Sequence, residues 1–277
     1  MPDERNLRHQ KRIEAMVRFL QLSICFLSVF WLSACATIGA AKAPDELERT
    51  LDEAIVAIPA FRIFGIYEDV RDVLALIPAY KKMPLVIYMH GCSGLMQSAL
   101  SDIGFLAHHN YAVLAPNSFA RKYRPEACNP ETCTGGLFRG VLDFRLAEAS
   151  YAHEAAKNLP WVDKRNIFMM GFSEGGITTA KYGRGSLAGR IILGWTCNAG
   201  WPEYNGISGP RDEPILTIVA SNDPWFTSPD TFGDCGSSML FRPNSESVVV
   251  DSTGHYIHGN PELRKKILQF LESNRRH

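Results

Sequence analysis

The sequence predicts an α/β fold: a mostly parallel central sheet flanked by helices. Three observations lead there. Short, almost wholly apolar runs rich in β-branched residues recur along the chain, as strands buried on both faces require. Segments with apolar residues at steps of three and four alternate with them, as covering helices require. One of the apolar runs, Asn166 to Gly171, passes directly into a glycine-rich turn and then into helix-compatible sequence. Strands alternating with helices give a parallel sheet, whose ligands bind beyond the carboxyl ends of the strands.

Taken in order, Leu47, Leu51, Ala54, Ile55 and Ile58 have helical spacing over residues 45–58, and Pro44 and Asp45 suit a helix start. Pro84 to His90 reads as a buried strand, and Tyr111 to Pro116 as a second. Residues 98–109 between them suit a helix ended by Asn110 in left-handed conformation. From Arg139 to Leu159, the residues Leu142, Leu146, Ala149, Ala152, Ala156 and Leu159 form one apolar stripe, so this is a long covering helix. Further strands are predicted at Asn166 to Gly171, Arg190 to Thr196, Pro214 to Ala220 and Ser247 to Asp251. A last helix runs from Pro261 to about Glu272.

The chain has 277 residues, enough for one large domain over residues 45–277. Its 29 basic residues balance its 29 acidic ones, so no long-range field would draw it to nucleic acid. The first 35 residues stand apart. Lys11, Arg12 and Arg18 precede an apolar run from Phe19 to Leu32, the charge-then-apolar layout of an export signal. Leu32-Ser33-Ala34-Cys35 resembles the lipobox of bacterial lipoproteins, which implies cleavage before a lipid-bearing Cys35, a linker over residues 36–44, and a domain anchored to a membrane outside the cytoplasm. Met16 is an alternative start. An uncleaved span from Phe19 to Ala41 is the other reading, and it too puts the domain outside the cytoplasm.

Cys92, Cys128, Cys133, Cys197 and Cys235 remain in the body of the chain, and in such a compartment disulfides are expected. Cys128 with Cys133 is the first pair suggested, stapling a lid between Phe119 and Gly140, and Cys197 with Cys235 is the second. Neither Cys128/Cys133 nor His108/His109 has a second half of the kind a zinc site needs, so no metal is expected.

Gly171-Phe172-Ser173-Glu174-Gly175 is G-x-S-x-G between a strand and a helix. Serine is a weak nucleophile, and this strained turn holds it exposed while the glycines let the backbone pass. The oxyanion formed on attack needs amide donors. Glu174 supplies one, and the loop His90-Gly91-Cys92-Ser93-Gly94 supplies the other, with Cys92 as the donor. The partners should follow in the order acid, then histidine. Asp223 comes after the strand ending at Ala220 and His255 after the strand ending at Asp251. His258 is an alternative base, and Asp230, Asp234 and Asp251 are alternative acids. Arg121 and Arg124 are candidates for meeting an anionic substrate, or else brace the loop.

HGCSG after a strand, then YAVLAPNSFARKYR, GFSEGG, SND and GH together resemble the dienelactone hydrolase family, from about Pro84 to Leu271. The resemblance implies the α/β-hydrolase fold and hydrolysis of a carboxylic ester without cofactor or metal. The founding members use cysteine as nucleophile. Ser173 stands there in this chain, which brings it nearer to the serine carboxylesterase relatives. Peptide or thioester hydrolysis is the alternative within enzymes, and a non-catalytic envelope module the alternative outside them.

Overall fold

A computed structural model describes residues 42–122, 124, 128–129, 131–135 and 139–276. The leader, Met16, Cys35 and most of the linker lie outside these residues. In chain order the elements are α1 Pro44–Asp52, β1 Ile55–Ile58, β2 Ile63–Ile66, α2 Tyr67–Ala75, β3 Met83–Met89, α3 Gln97–His108, β4 Ala112–Ala115, β5 Cys128–Asn129 and β6 Thr134–Gly135. They continue with α4 Arg139–Asn158, β7 Val162–Phe172, α5 Glu174–Lys181, β8 Gly189–Leu193, β9 Ile215–Ala220, β10 Glu246–Val250 and α6 Pro261–Ser273.

The main sheet runs β10-β9-β8-β7-β3-β4-β1-β2, parallel from β10 to β4, with β1 antiparallel to both of its neighbours β4 and β2. Strand periodicity sorts its side chains to two faces. Leu85, Ile87 and Met89 of β3 join Ala149, Ala152 and Ala156 of α4 and Trp161 on one side. Val86 and Tyr88 join Ile103 and Leu106 of α3 and Ile267, Phe270 and Leu271 of α6 on the other. Both faces being covered explains why the parallel strands read as unbroken apolar runs. Asn110 is left-handed at φ 64° and ends α3, as its sequence position implies.

One element differs from the sequence reading. The helix expected over residues 45–58 stops at Asp52, and Ile55–Ile58 is strand β1. Val56 and Ile58 pack in one core layer and Ile55 and Ala57 in the other, a period of two that the coincidental helical spacing had masked. Strand β2 and helix α2 were not foreseen either. Their burial is partial, so neither carries a strong apolar pattern.

The strand order places the chemistry. From β3 the chain moves outward to β4 and later returns to the opposite side of β3 as β7, so β3 and β7 form the point where winding reverses. They are paired in parallel with Met89 opposite Gly171. The loop after β3 and the turn after β7 therefore emerge side by side. Strands β9 and β10 are likewise neighbours, with Ala220 opposite Val250.

The expected Cys128–Cys133 bridge is replaced by Cys92–Cys128, while Cys197–Cys235 forms as anticipated. Cys128 lies opposite Gly135 in the small β5–β6 hairpin, and Cys133 sits in its turn at φ 51°, outside both bridges. The Cys128 side chain packs inward with Val141 and Phe144, where Cys92 meets it. Two disulfides are consistent with folding in an oxidising, extracytoplasmic compartment. Alkylation of the unreduced protein followed by peptide mapping should recover Cys92 and Cys128 in one linked pair of peptides and Cys197 and Cys235 in another. Label on Cys92 would contradict this pairing.

Candidate active site

Ser173 follows β7 and caps α5 with φ 56° and ψ −119°, a conformation costly for a residue with a Cβ. It is held there from both sides. Its amide donates to Leu193 O at 2.9 Å, and its carbonyl accepts from the Ile177 amide at 2.9 Å. The turn closes only because of its glycines. A Cβ on Gly175 would overlap the carbonyl oxygen of Met89, and one on Gly171 would overlap the carbonyl of Gly175. Helix α5 thus sits hard against the end of β3, and the space a Cβ would fill at Gly91 lies 3.5 Å from the Ser173 Cβ.

His255 follows β10, and its Nδ1 is 2.6 Å from Oδ2 of Asp223, which follows β9. Asp223 is buried, and its other oxygen accepts from the Trp225 amide at 3.0 Å. With Nδ1–H donated to the carboxylate, the lone pair of a neutral imidazole is on Nε2. Among the described residues nothing hydrogen-bonds that buried Nε2. Phe172, Trp225 and Phe226 pack around the imidazole with ring centroids 4.8, 5.4 and 5.9 Å away. Ser173, His255 and the Gly91–Gly94 loop all line one cavity of about 190 Å³, walled by Tyr88, Phe172, Trp225 and Tyr256.

The alternatives lie elsewhere. His258 is buried with Nε2 3.0 Å from Asp102 Oδ2, its ring centroid 5.0 Å from that of Phe172, and it does not line the cavity. Asp234 accepts from Ser247 Oγ at 2.8 Å, Asp251 accepts from Ser221 Oγ at 3.4 Å, and Asp230 lies against Gly200. None of these carboxylates meets His255.

Arg121 and Arg124 do not line the cavity. Their side chains are 0% and 2% exposed, and they brace the loop after β4 from within. Arg121 pairs with Glu148, and Arg124 donates to Glu174 Oε1 at 2.7 Å while stacking over Phe119 at 4.1 Å. Arg145 of α4, which nothing in the sequence pattern singles out, joins the parts together. It donates to Glu148 at 2.8 Å and to the His90 carbonyl at 2.6 Å, and its Nε lies 3.4 Å from Glu174. Its i,i+3 spacing with Glu148 is what a solvated helix face also shows, so pattern alone could not find it. His90 donates from Nδ1 to Gly91 O at 2.6 Å, and its Nε2 accepts from the Ser118 amide at 3.0 Å. Burial, and then Arg145, hold its pKa well below the ordinary histidine value, so it is neutral. The residue after Ser173 and the loop carrying Cys92 are therefore fixed by one buried ion network.

No family model matches the chain, and no curated protein matches it. Solved structures do. A candidate dienelactone hydrolase from Klebsiella pneumoniae superposes with a TM-score of 0.52 at 18% identity, covering 71% of this chain and 89% of its own. A dienelactone hydrolase-like promiscuous phosphotriesterase from metagenomic libraries gives 0.52 at 16% identity, covering 70% and 86%. Est1E from Butyrivibrio proteoclasticus, with ferulic acid bound, gives 0.51 at 15% identity, covering 80% and 94%. At such identities the likeness establishes the α/β-hydrolase fold; activity has to be argued from the site.

The buried neutral histidines give the fold a pH signature. Burial also lowers His153, to about 4, where it shares a 2.7 Å hydrogen bond with Tyr182 Oη. In the unfolded chain both histidines take up protons near pH 6.5, which the folded protein refuses. The contribution of each is complete above about pH 6.5 and declines as pH falls below it, for His153 down to about pH 4, by up to about 1.4 kcal/mol per pH unit. Urea unfolding at stepped pH should show this decline, and His153→Asn should flatten it. An unchanged slope in that variant would rule out the His153 share.

Proposed function

We propose that the protein is a serine hydrolase of carboxylic esters, with Ser173 as nucleophile, His255 as general base and acid, and Asp223 orienting the imidazole. The observation that carries this reading is the meeting, in one cavity, of a strained Ser173 and a His255 already hydrogen-bonded to a buried carboxylate. Ser173 Oγ attacks the ester carbonyl carbon as its proton passes to His255 Nε2. Asp223 keeps the ring oriented and stabilises the imidazolium without taking the proton. The oxyanion accepts from the amides of Cys92 and Glu174, whose positions are set by the disulfide to Cys128 and by the Arg145 network. The imidazolium then protonates the leaving alcohol, and water activated by the same nitrogen releases the acid from Ser173.

The preference for esters over amides and thioesters rests on the family resemblance of the HGCSG and GFSEGG motifs and on the esterase-type neighbours in fold space. No residue in this scheme calls for a cofactor or a metal. We further propose that the domain works from a lipid anchor on Cys35, so that Cys35→Ala would move it from the membrane fraction to the soluble fraction.

Purified protein should be labelled by a fluorophosphonate and should hydrolyse 4-nitrophenyl esters. Ser173→Ala and His255→Ala should each lower kcat/KM by roughly 10⁴-fold or more, with folding intact by circular dichroism. His258→Gln, which keeps a donor toward Asp102, should retain most activity. Loss in His258→Gln with retention in His255→Ala would reverse the assignment of the base.

A further inference from the structure

Ser93, Ser98 and the reacting Ser173 bring small hydroxyls to the lining of the site cavity, but its tyrosine hydroxyls are engaged elsewhere. Tyr88 and Tyr256 both form its wall, yet their hydroxyls donate to Asp102, at 2.8 Å to Oδ2 and 2.8 Å to Oδ1. Asp102 is buried in α3 and also takes His258 at 3.0 Å. The two tyrosines therefore offer the cavity their rings and not their hydroxyls. Phe172 and Trp225 add further aromatic surface, Ala99 of α3 the back, and Met96, which is 59% exposed, the rim. Apart from His255, no side chain that carries a charge near neutral pH lines the space among the described residues, since burial and Asp102 raise both tyrosines above their ordinary pKa. The arginines nearest in sequence are closed off, with Arg121 and Arg124 turned inward to Glu148 and Glu174.

We propose that this cavity is an acyl pocket for a small, uncharged group. A straight acyl chain of up to about six carbons or a single ring fits, because a cavity of roughly 150 Å³ already holds one benzene ring, and this one measures about 190 Å³. A carboxylate on the acyl group is rejected, since an anion entering this aromatic space meets no cation to replace its lost hydration. The preferred substrate is thus a neutral short-acyl or monocyclic aryl ester, and not an ester or lactone bearing a free carboxylate. This inference rests on Ser173 forming an acyl-enzyme, as proposed above.

Two positions set the size. Ala99 is 2% exposed at the back of the pocket, so a larger residue there shortens it. Met96 is at the rim, so its truncation lengthens it.

The test is kcat/KM of the full chain for 4-nitrophenyl acetate, butyrate, pentanoate, benzoate, octanoate and laurate, together with 4-nitrophenyl hydrogen glutarate. The last differs from the pentanoate by a carboxylate in place of a methyl group. Butyrate, pentanoate and benzoate should exceed laurate by at least about tenfold, and pentanoate should exceed hydrogen glutarate by at least about tenfold, the scale at which a pocket discriminates one misfitting group. Ala99→Val should lower the butyrate-to-acetate ratio. Met96→Ala should raise the octanoate-to-butyrate ratio, and its exposed position keeps the test informative should Ala99→Val misfold. Ser173-dependent turnover that rises through laurate, that favours hydrogen glutarate, or that keeps its order in Met96→Ala overturns the acyl-pocket proposal alone. Turnover of none of the series, or turnover surviving Ser173→Ala, overturns the esterase reading and this proposal with it.

Discussion

Among the glycines of the described residues, the closest approach is between the first turn of α5 and the end of β3, where the Gly175 backbone meets the Met89 carbonyl with no room for a side chain. That contact fixes much else. It forces the sharp turn at Ser173, with its left-handed φ, and it brings the serine alongside the Gly91–Gly94 loop. Strain of this kind persists only where the surroundings over-determine it. Here they do so through the hydrogen bonds of Ser173 to Leu193 and Ile177 and through central strands buried on both faces. The elbow is a local violation of backbone preference supported by the most regular part of the fold.

Electrostatics fastens the second half of the site to the first. Arg145 reaches the His90 carbonyl on one side and Glu174 on the other, so the two loops that present the proposed oxyanion donors share one buried guanidinium. Such networks cost desolvation and are weak evidence of net stability. What this one supplies is position, because each hydrogen bond has a defined length and direction within a dry interior. The Cys92–Cys128 bridge adds a covalent tie from the same loop to the β5–β6 hairpin. The aromatic cavity and the ion network are kept apart, with the charges behind the loops and the apolar rings in front of them.

The parallel strands were legible in the sequence because burial on both faces leaves an unambiguous apolar run, and the elbow was legible because its glycines are required by contact. Asp223 and His255 could be named from their order after successive strands, and they are brought together at 2.6 Å. Strand β1 was misread because Leu47, Leu51 and Ile55 satisfy a helical period while Ile55 to Ile58 obey a period of two. The partner of Cys128 was misjudged because nearness in sequence says nothing of which way a hairpin turns its side chains. Arg121, Arg124, Arg145 and Asp102 share a single difficulty. A charged residue in a loop or on a helix looks solvated until the fold supplies its partners, and for each of these at least one partner stands on another element far along the chain.

In the proposed mechanism, Ser173, His255 and the amides of Cys92 and Glu174 form one reaction centre. A crystal structure of the protein after treatment with a small alkyl fluorophosphonate tests it most directly. The account predicts a phosphonyl group on Ser173 Oγ, with one of its oxygens about 2.7–3.1 Å from both amides and His255 Nε2 facing the serine oxygen. A phosphonyl group on another residue, or one on Ser173 whose oxygen turns away from the Cys92 loop, would contradict it.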